Sequence, residues 1–188
     1  PAFKALMLTL PTEHEMLEWL EEADPLLICS ARDLVLKTIA VELQPQWLNT
    51  FNLLPVASDS QAQSTGVRAL KNLILSMLTY SSDEWTIDTA RKQFFSADNM
   101  TDQIGALSAL VNSDSELGNE CLSAFGEQWQ EDMLVMDKYF SLIASRKLPD
   151  TLKSVQQAFL HPAFNLKNPN KVRSLVGTFS RNMRAFHA

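Results

Sequence analysis

The residues best placed to do chemistry lie near the start of the chain. His14-Glu15-Met16-Leu17-Glu18 has the outline of a zinc-peptidase helix, which needs two histidines at i and i+4 with the intervening glutamate as general base. Here the second histidine is replaced by Glu18, and the third ligand of the gluzincin pattern falls on Lys37, whose ammonium cannot coordinate a metal. Thr12-Glu13-His14-Glu15 reads instead as a helix-starting capping box. Cys29 and Cys121 are far apart and outside any C-x-x-C, so they are expected as buried core thiols rather than metal ligands. His161 precedes Pro162 in an expected solvated loop, and His187 lies one residue from the end. The five glycines are scattered and form no phosphate-cradling loop. No catalytic, cofactor-binding or metal-binding residue is assigned.

Lys167, Lys171, Arg173, Arg181 and Arg184 concentrate near the C-terminus, while acidic residues crowd Glu13 to Asp24. The basic group reads either as a solvated face or as a positive surface turned toward a partner domain or a peptide carboxylate. The whole chain carries 22 acidic against 16 basic residues, a formal charge of −6, which argues against nucleic acid or an anionic membrane surface as partner. No run approaches the ~18 apolar residues of a membrane span. Two cysteines cannot make a disulfide framework, and a cytoplasmic setting is expected.

The elements that must position these residues are helices. Met16, Leu20 and Ala23 are expected to share one face after the capping box. Asp24-Pro25 starts the next helix, with Asp as cap and Pro where its missing N–H does no harm. Ile28, Ala31, Val35, Ile39 and Leu43 form its predicted apolar stripe, against Arg32, Asp33 and Lys37 outside. Pro45 kinks or ends that helix, and Trp47 to Leu54 continue as a short one. Pro55 to Ser64 is loop-like. Further helical stripes follow: Val67 to Leu78; Trp85 to Phe95 after Ser82-Asp83-Glu84; Ile104 to Val111 after Asn99; Leu117 to Trp129 after Ser113–Ser115; Leu134 to Ala144; Leu152 to Leu160 capped by Asp150; and Val172 to Phe179 after Asn168-Pro169. Roughly nine or ten helices with short links, and no strand alternation, predict an all-α chain of antiparallel helical hairpins. Stacked without a sharp repeat consensus, they form a HEAT/armadillo-like superhelix; a compact irregular bundle is the alternative.

Three blocks then become specific. Asn99-Met100-Thr101-Asp102-Gln103-Ile104-Gly105-Ala106-Leu107-Ser108-Ala109-Leu110 resembles the NNMTDALAALSAL segment of the bacterial aminopeptidase N family. Trp129, followed by Leu134-Val135-Met136-Asp137-Lys138-Tyr139-Phe140, resembles its W…LVMDKWF, and Asn168 to Phe179 with Phe186-His187 resembles its NPNRVRSLIGAF…FH. The resemblance covers nearly the whole chain. It implies one α-helical domain, residues 1–188, forming the middle part of the C-terminal superhelix of a zinc aminopeptidase. Such a fragment is noncatalytic and walls off the active-site cavity. Zinc, the H-E-x-x-H motif and G-x-M-E-N would belong to a catalytic domain of the same polypeptide, the implied partner along with peptide substrates. Arg173 matches a position that the resemblance places toward the cavity. A free-standing helical-repeat module that binds a protein partner is the competing expectation.

Overall fold

The computed structural model describes residues 1–54, 65–81, 84–113 and 116–188. The predicted loop over 55–64 and the predicted helix starts at Ser82-Asp83 and at 114–115 lie outside the described residues. In order the helices are α1 (Ala2–Met7), α2 (Glu13–Leu17), α3 (Pro25–Glu42), α4 (Gln44–Leu53), α5 (Thr65–Thr79), α6 (Glu84–Ser96), α7 (Met100–Val111), α8 (Glu116–Trp129), α9 (Met133–Ala144), α10 (Thr151–Ala158) and α11 (Pro169–Val172). A π-helical turn (Arg173–Gly177), α12 (Thr178–Arg181) and α13 (Met183–His187) complete the chain, and no strand occurs among the described residues. The all-α expectation holds. The short α1 is an addition to the predicted elements, and the last predicted helix, Val172 to Phe179, is interrupted by the π turn.

Side-chain caps explain the starts of α2, α3, α7, α9 and α11. Thr12 and Glu15 form the full capping box: the Thr12 hydroxyl accepts from the Glu15 amide (3.3 Å), and Glu15 accepts from the Thr12 amide (2.7 Å). Asp24 accepts from the Leu26 and Leu27 amides with Pro25 in the first turn of α3. Asn99, Asp132 and Asn168 cap α7, α9 and α11 in the same way. Asp150 differs from its predicted role. It precedes α10 without a side-chain cap bond, and its carboxylate lies 3.8 Å from the guanidinium of buried Arg146.

Two faces predicted from periodicity are corrected. Helix α2 stops at Leu17, so Leu20 does not continue its face; Trp19 and Leu20 are exposed in the turn before α3. In α3 the inward residues are Ile28, Cys29, Leu36 and Ala40, whereas Ala31, Val35 and Leu43 are exposed. The helix is rotated so that Arg32 and Asp33 turn inward, because charges from distant parts of the chain meet them there. The stripe in α5 is as predicted, with Val67, Leu70, Ile74, Met77 and Leu78 all buried.

Two apolar clusters share α5. Ile74 and Leu78 pack with Ala5, Leu36, Ala40 and Trp47, whereas Leu75 belongs to the larger cluster built from α6 to α10 and Leu175. Helix α7 lies at the centre, packed on α5, α6 and α8. Phe94, Phe125 and Phe140 are fully buried around it, each contributing on the order of 2–3 kcal/mol of transfer free energy. Sequential helices pack on each other down the chain, and α13 returns to pack on α3.

Close approach at the centre depends on Gly118. A Cβ there would stand 2.4 Å from the Leu110 carbonyl oxygen of α7, a backbone atom that cannot swing away. At Gly177 the nearest atoms would be 3.9 Å away. We therefore expect Gly118→Ala to lose about 1–2 kcal/mol net in urea unfolding, overpacking exceeding the gain in helix propensity. Gly177→Ala should be neutral or slightly stabilising. Equal stability of both variants would contradict this packing.

Candidate functional site

Five charged side chains converge where the first and last helices meet. Arg32 of α3 donates through Nε to the Pro11 carbonyl (2.7 Å) and through a terminal nitrogen to the Glu13 carboxylate (3.3 Å). Lys147, in the α9–α10 link, donates to the same Glu13 oxygen (3.3 Å) and stands 3.8 Å from Asp33. Arg184 of α13 pairs with the other Asp33 oxygen. Lys147 is itself positioned by its backbone amide, which donates to Asn112 at the end of α7 (2.8 Å). Arg32, Asp33, Lys147, Arg184 and Asn112 line a cleft of about 410 Å³ between α1, α3, α5 and α7.

Burial pushes the Glu13 carboxyl up, but its own backbone amide and the Lys147 and Arg32 charges outweigh that and hold it below its ordinary value. Nothing in the sequence marked this cluster. Apolar spacing in α3 puts Arg32 and Asp33 on the outer face with Lys37, and nothing local distinguishes the three.

The sequence-predicted candidates scatter. His14 is exposed on α2, and the Glu15 carboxylate is occupied by the amide and hydroxyl of Thr12. Among the described residues no three His, Cys, Asp or Glu side chains gather as a metal-ligand set. Cys29 and Cys121 are buried and unbridged, and desolvation raises both thiols above their ordinary value, so neither has the character of a nucleophile. His161 is not the solvated loop residue expected. It is half-buried between the rings of Tyr139 and Phe140, accepts at Nδ1 from the Ala163 amide (3.1 Å), and desolvation lowers its pKa.

The basic group near the C-terminus also divides. Lys171 is 1% exposed; it donates to Asp137 of α9 (2.8 Å) and to the Met133 carbonyl, above the Phe140 ring. Arg184 belongs to the ion cluster. Lys167, Arg173 and Arg181 are exposed. Arg173 opens the π turn, where the Ser174 carbonyl is taken by the Ser141 hydroxyl of α9 (3.2 Å) and the α-helical ladder widens. Asn182 ends α12 by donating to the Ala144 and Arg146 carbonyls (2.9 and 2.7 Å) and caps α13.

This is an all-α superhelix of stacked helical pairs, with polar residues used to lock its turns and ends. The chain belongs to the family described as "Domain of unknown function (DUF3458_C) ARM repeats", whose model matches residues 1–188. It is similar to the C-terminal region of bacterial aminopeptidase N. Identity to the Escherichia coli (strain K12) protein is 34% over 191 residues, covering 100% of this chain and 22% of that protein. Identity to the Haemophilus influenzae protein is 37% over 185 residues, covering 97% and 21%. Among solved structures, the crystal structure of Legionella pneumophila aminopeptidase A in complex with aspartic acid superposes with a TM-score of 0.86 at 30% identity, over 97% of this chain and 23% of that one. The chain thus spans less than a quarter of the length of the curated relatives it matches.

The ion cluster makes stability depend on acid pH in a defined direction. The folded Glu13 carboxyl gives up its proton more readily than the unfolded one. Below about pH 4.3 the unfolded chain therefore binds more protons, and stability falls as pH drops. Glu13→Gln should lose on the order of 1 kcal/mol at neutral pH, and its stability should fall less steeply below pH ~4.3, in urea unfolding across the acid range. An acid dependence unchanged in Glu13→Gln would show that the cluster contributes nothing.

Proposed function

We propose that this chain is a noncatalytic wall of a zinc aminopeptidase that hydrolyses N-terminal amino acids from peptides. In this reading the catalytic domain is carried by the same longer polypeptide. The observation that supports it is end-to-end similarity to bacterial aminopeptidase N over less than a quarter of those proteins' length.

The residues present do not fit a zinc site, because Glu15 serves the helix cap and no further ligands approach His14 among the described residues. Zinc chemistry belongs to the remainder of the polypeptide, where it would polarise the scissile carbonyl and activate water. The superhelix would contribute shape. It would close over the cavity, restrict access to peptides that can thread into it, exclude folded proteins, and keep bulk water from the reacting atoms. Arg173, exposed at the start of the π turn, would face that cavity and meet the carboxylate end of a peptide. No described helix is long and apolar enough to cross a membrane. We place the protein in the cytoplasm with no nucleic-acid partner.

Incubated alone with alanine p-nitroanilide and zinc, the purified chain should release no nitroaniline and bind no stoichiometric metal. Zinc-dependent hydrolysis by the pure chain would overturn the noncatalytic assignment. In the polypeptide that contains it, Arg173→Ala should raise KM for peptides about three- to tenfold while leaving kcat for the small anilide unchanged. A gene with no H-E-x-x-H encoded in frame would instead favour the free-standing interaction module.

A further inference from the structure

A second polar cavity, of about 230 Å³, lies between the end of α4, the middle of α5, the second half of α6 and the start of α7. Three polar side chains that line it are each more than nine-tenths buried: Lys71 (8% exposed), Gln93 (7%) and Asp102 (0%). Phe51 and Leu54 supply an apolar wall.

The hydrogen bonding of these groups is unbalanced. Gln93 donates through Nε2 to Asn72 (2.8 Å) and to the Asp102 carbonyl (3.1 Å), but its buried Oε1 has no hydrogen-bond partner among the described residues. Asp102 accepts one bond at each carboxylate oxygen, from Asn72 and from Asn99 (both 3.1 Å). Each oxygen keeps a free lone pair. Among the described residues no carboxylate pairs with Lys71; its ammonium stands 5.8 Å from the Phe51 ring centroid. Buried polar groups are ordinarily hydrogen-bonded, so the orphaned Gln93 Oε1, beside a lysine with no carboxylate of its own, calls for a donor from outside the chain. The ion cluster at the other cleft differs, since each of its cations already has a carboxylate.

We propose that this cavity binds a free α-amino acid. The ligand carboxylate pairs with Lys71. The ligand ammonium donates to Gln93 Oε1 and to Asp102. An apolar side chain lies against Phe51 and Leu54. A zwitterion is the simplest molecule that meets an unpaired cation, an unpaired acceptor and an anion with spare acceptor capacity at once. The volume falls below the ~300 Å³ lower end for drug-sized ligands, so the occupant is a small metabolite. The proposal does not depend on the aminopeptidase reading, and either can fail without the other.

The test is titration of the full 188-residue chain with L-leucine, followed by ¹H–¹⁵N spectra. We expect saturable shifts with millimolar affinity, centred on the amides around Lys71, Gln93 and Asp102 and on the Gln93 side-chain NH₂. Leucinamide, which lacks the carboxylate, and N-acetyl-leucine, which lacks the ammonium, should each bind about tenfold more weakly. Lys71→Met, which keeps the aliphatic stem, should weaken leucine about tenfold. If that variant does not fold, the three-ligand comparison on the unmodified chain decides by itself. Absence of saturation up to about 50 mM, shifts centred elsewhere, or equal affinity for leucine and N-acetyl-leucine would overturn the proposal. So would binding of acetate as tight as that of leucine, which would mark a bare anion site.

Discussion

The domain depends on how closely α7 can lie against α5. A Cβ at position 105 would stand 2.5 Å from the Asn72 side chain, so glycine there lets the two helices approach until Asn72 reaches Asp102 and Thr101. Gln93 joins from α6, and Asn99 closes the network from the α7 cap. Helices α5, α6 and α7 are thereby fixed in register by directional bonds as well as by apolar contact. That matters in a superhelix, because shape-complementary apolar faces alone tolerate sliding that hydrogen bonds do not. Both apolar clusters inherit their geometry from this contact, since α5 contributes to each.

The three blocks that carry the family resemblance are the residues that interlock. Asp137 of the second block holds buried Lys171 of the third. Trp129 of the second donates to Gln103 of the first (3.2 Å). Asn99 and Asn168 cap helices, and Asp102 anchors the central network. Their chemistry is used for architecture.

At the two ends the structure relies on charge. Glu13, Arg32 and Asp33 from the start of the chain meet Lys147 and Arg184 across separations of 134 and 151 residues, and α13 is held on α3. Such pairs contribute modestly to stability when partly exposed, and mainly specify which surfaces meet. The cleft beside them is therefore framed by groups already paired to one another. The cavity at Lys71 differs: Gln93 and Asp102 are bonded into the central network, but Gln93 Oε1 has no hydrogen-bond partner and Lys71 no carboxylate among the described residues.

The sequence by itself determined the all-α class, the capped starts of α2, α3, α7 and α11, and the family. Capping residues act within three or four positions of themselves, so Thr12, Asp24, Asn99 and Asn168 can be read locally, and apolar spacing in α5 reports its own buried face. It failed where a distant partner decided the outcome. Arg32 and Asp33 turn inward, His161 is enclosed by Tyr139 and Phe140, and Lys171 is buried on Asp137. Helix periodicity records how much apolar surface a segment offers; it carries no information about which charge will arrive from more than a hundred residues away. The rotation of α3, the ion cluster and the cavity at Lys71 were settled only by tertiary packing, because ion pairs and close helix approach are set by three-dimensional distance and not by neighbours in sequence.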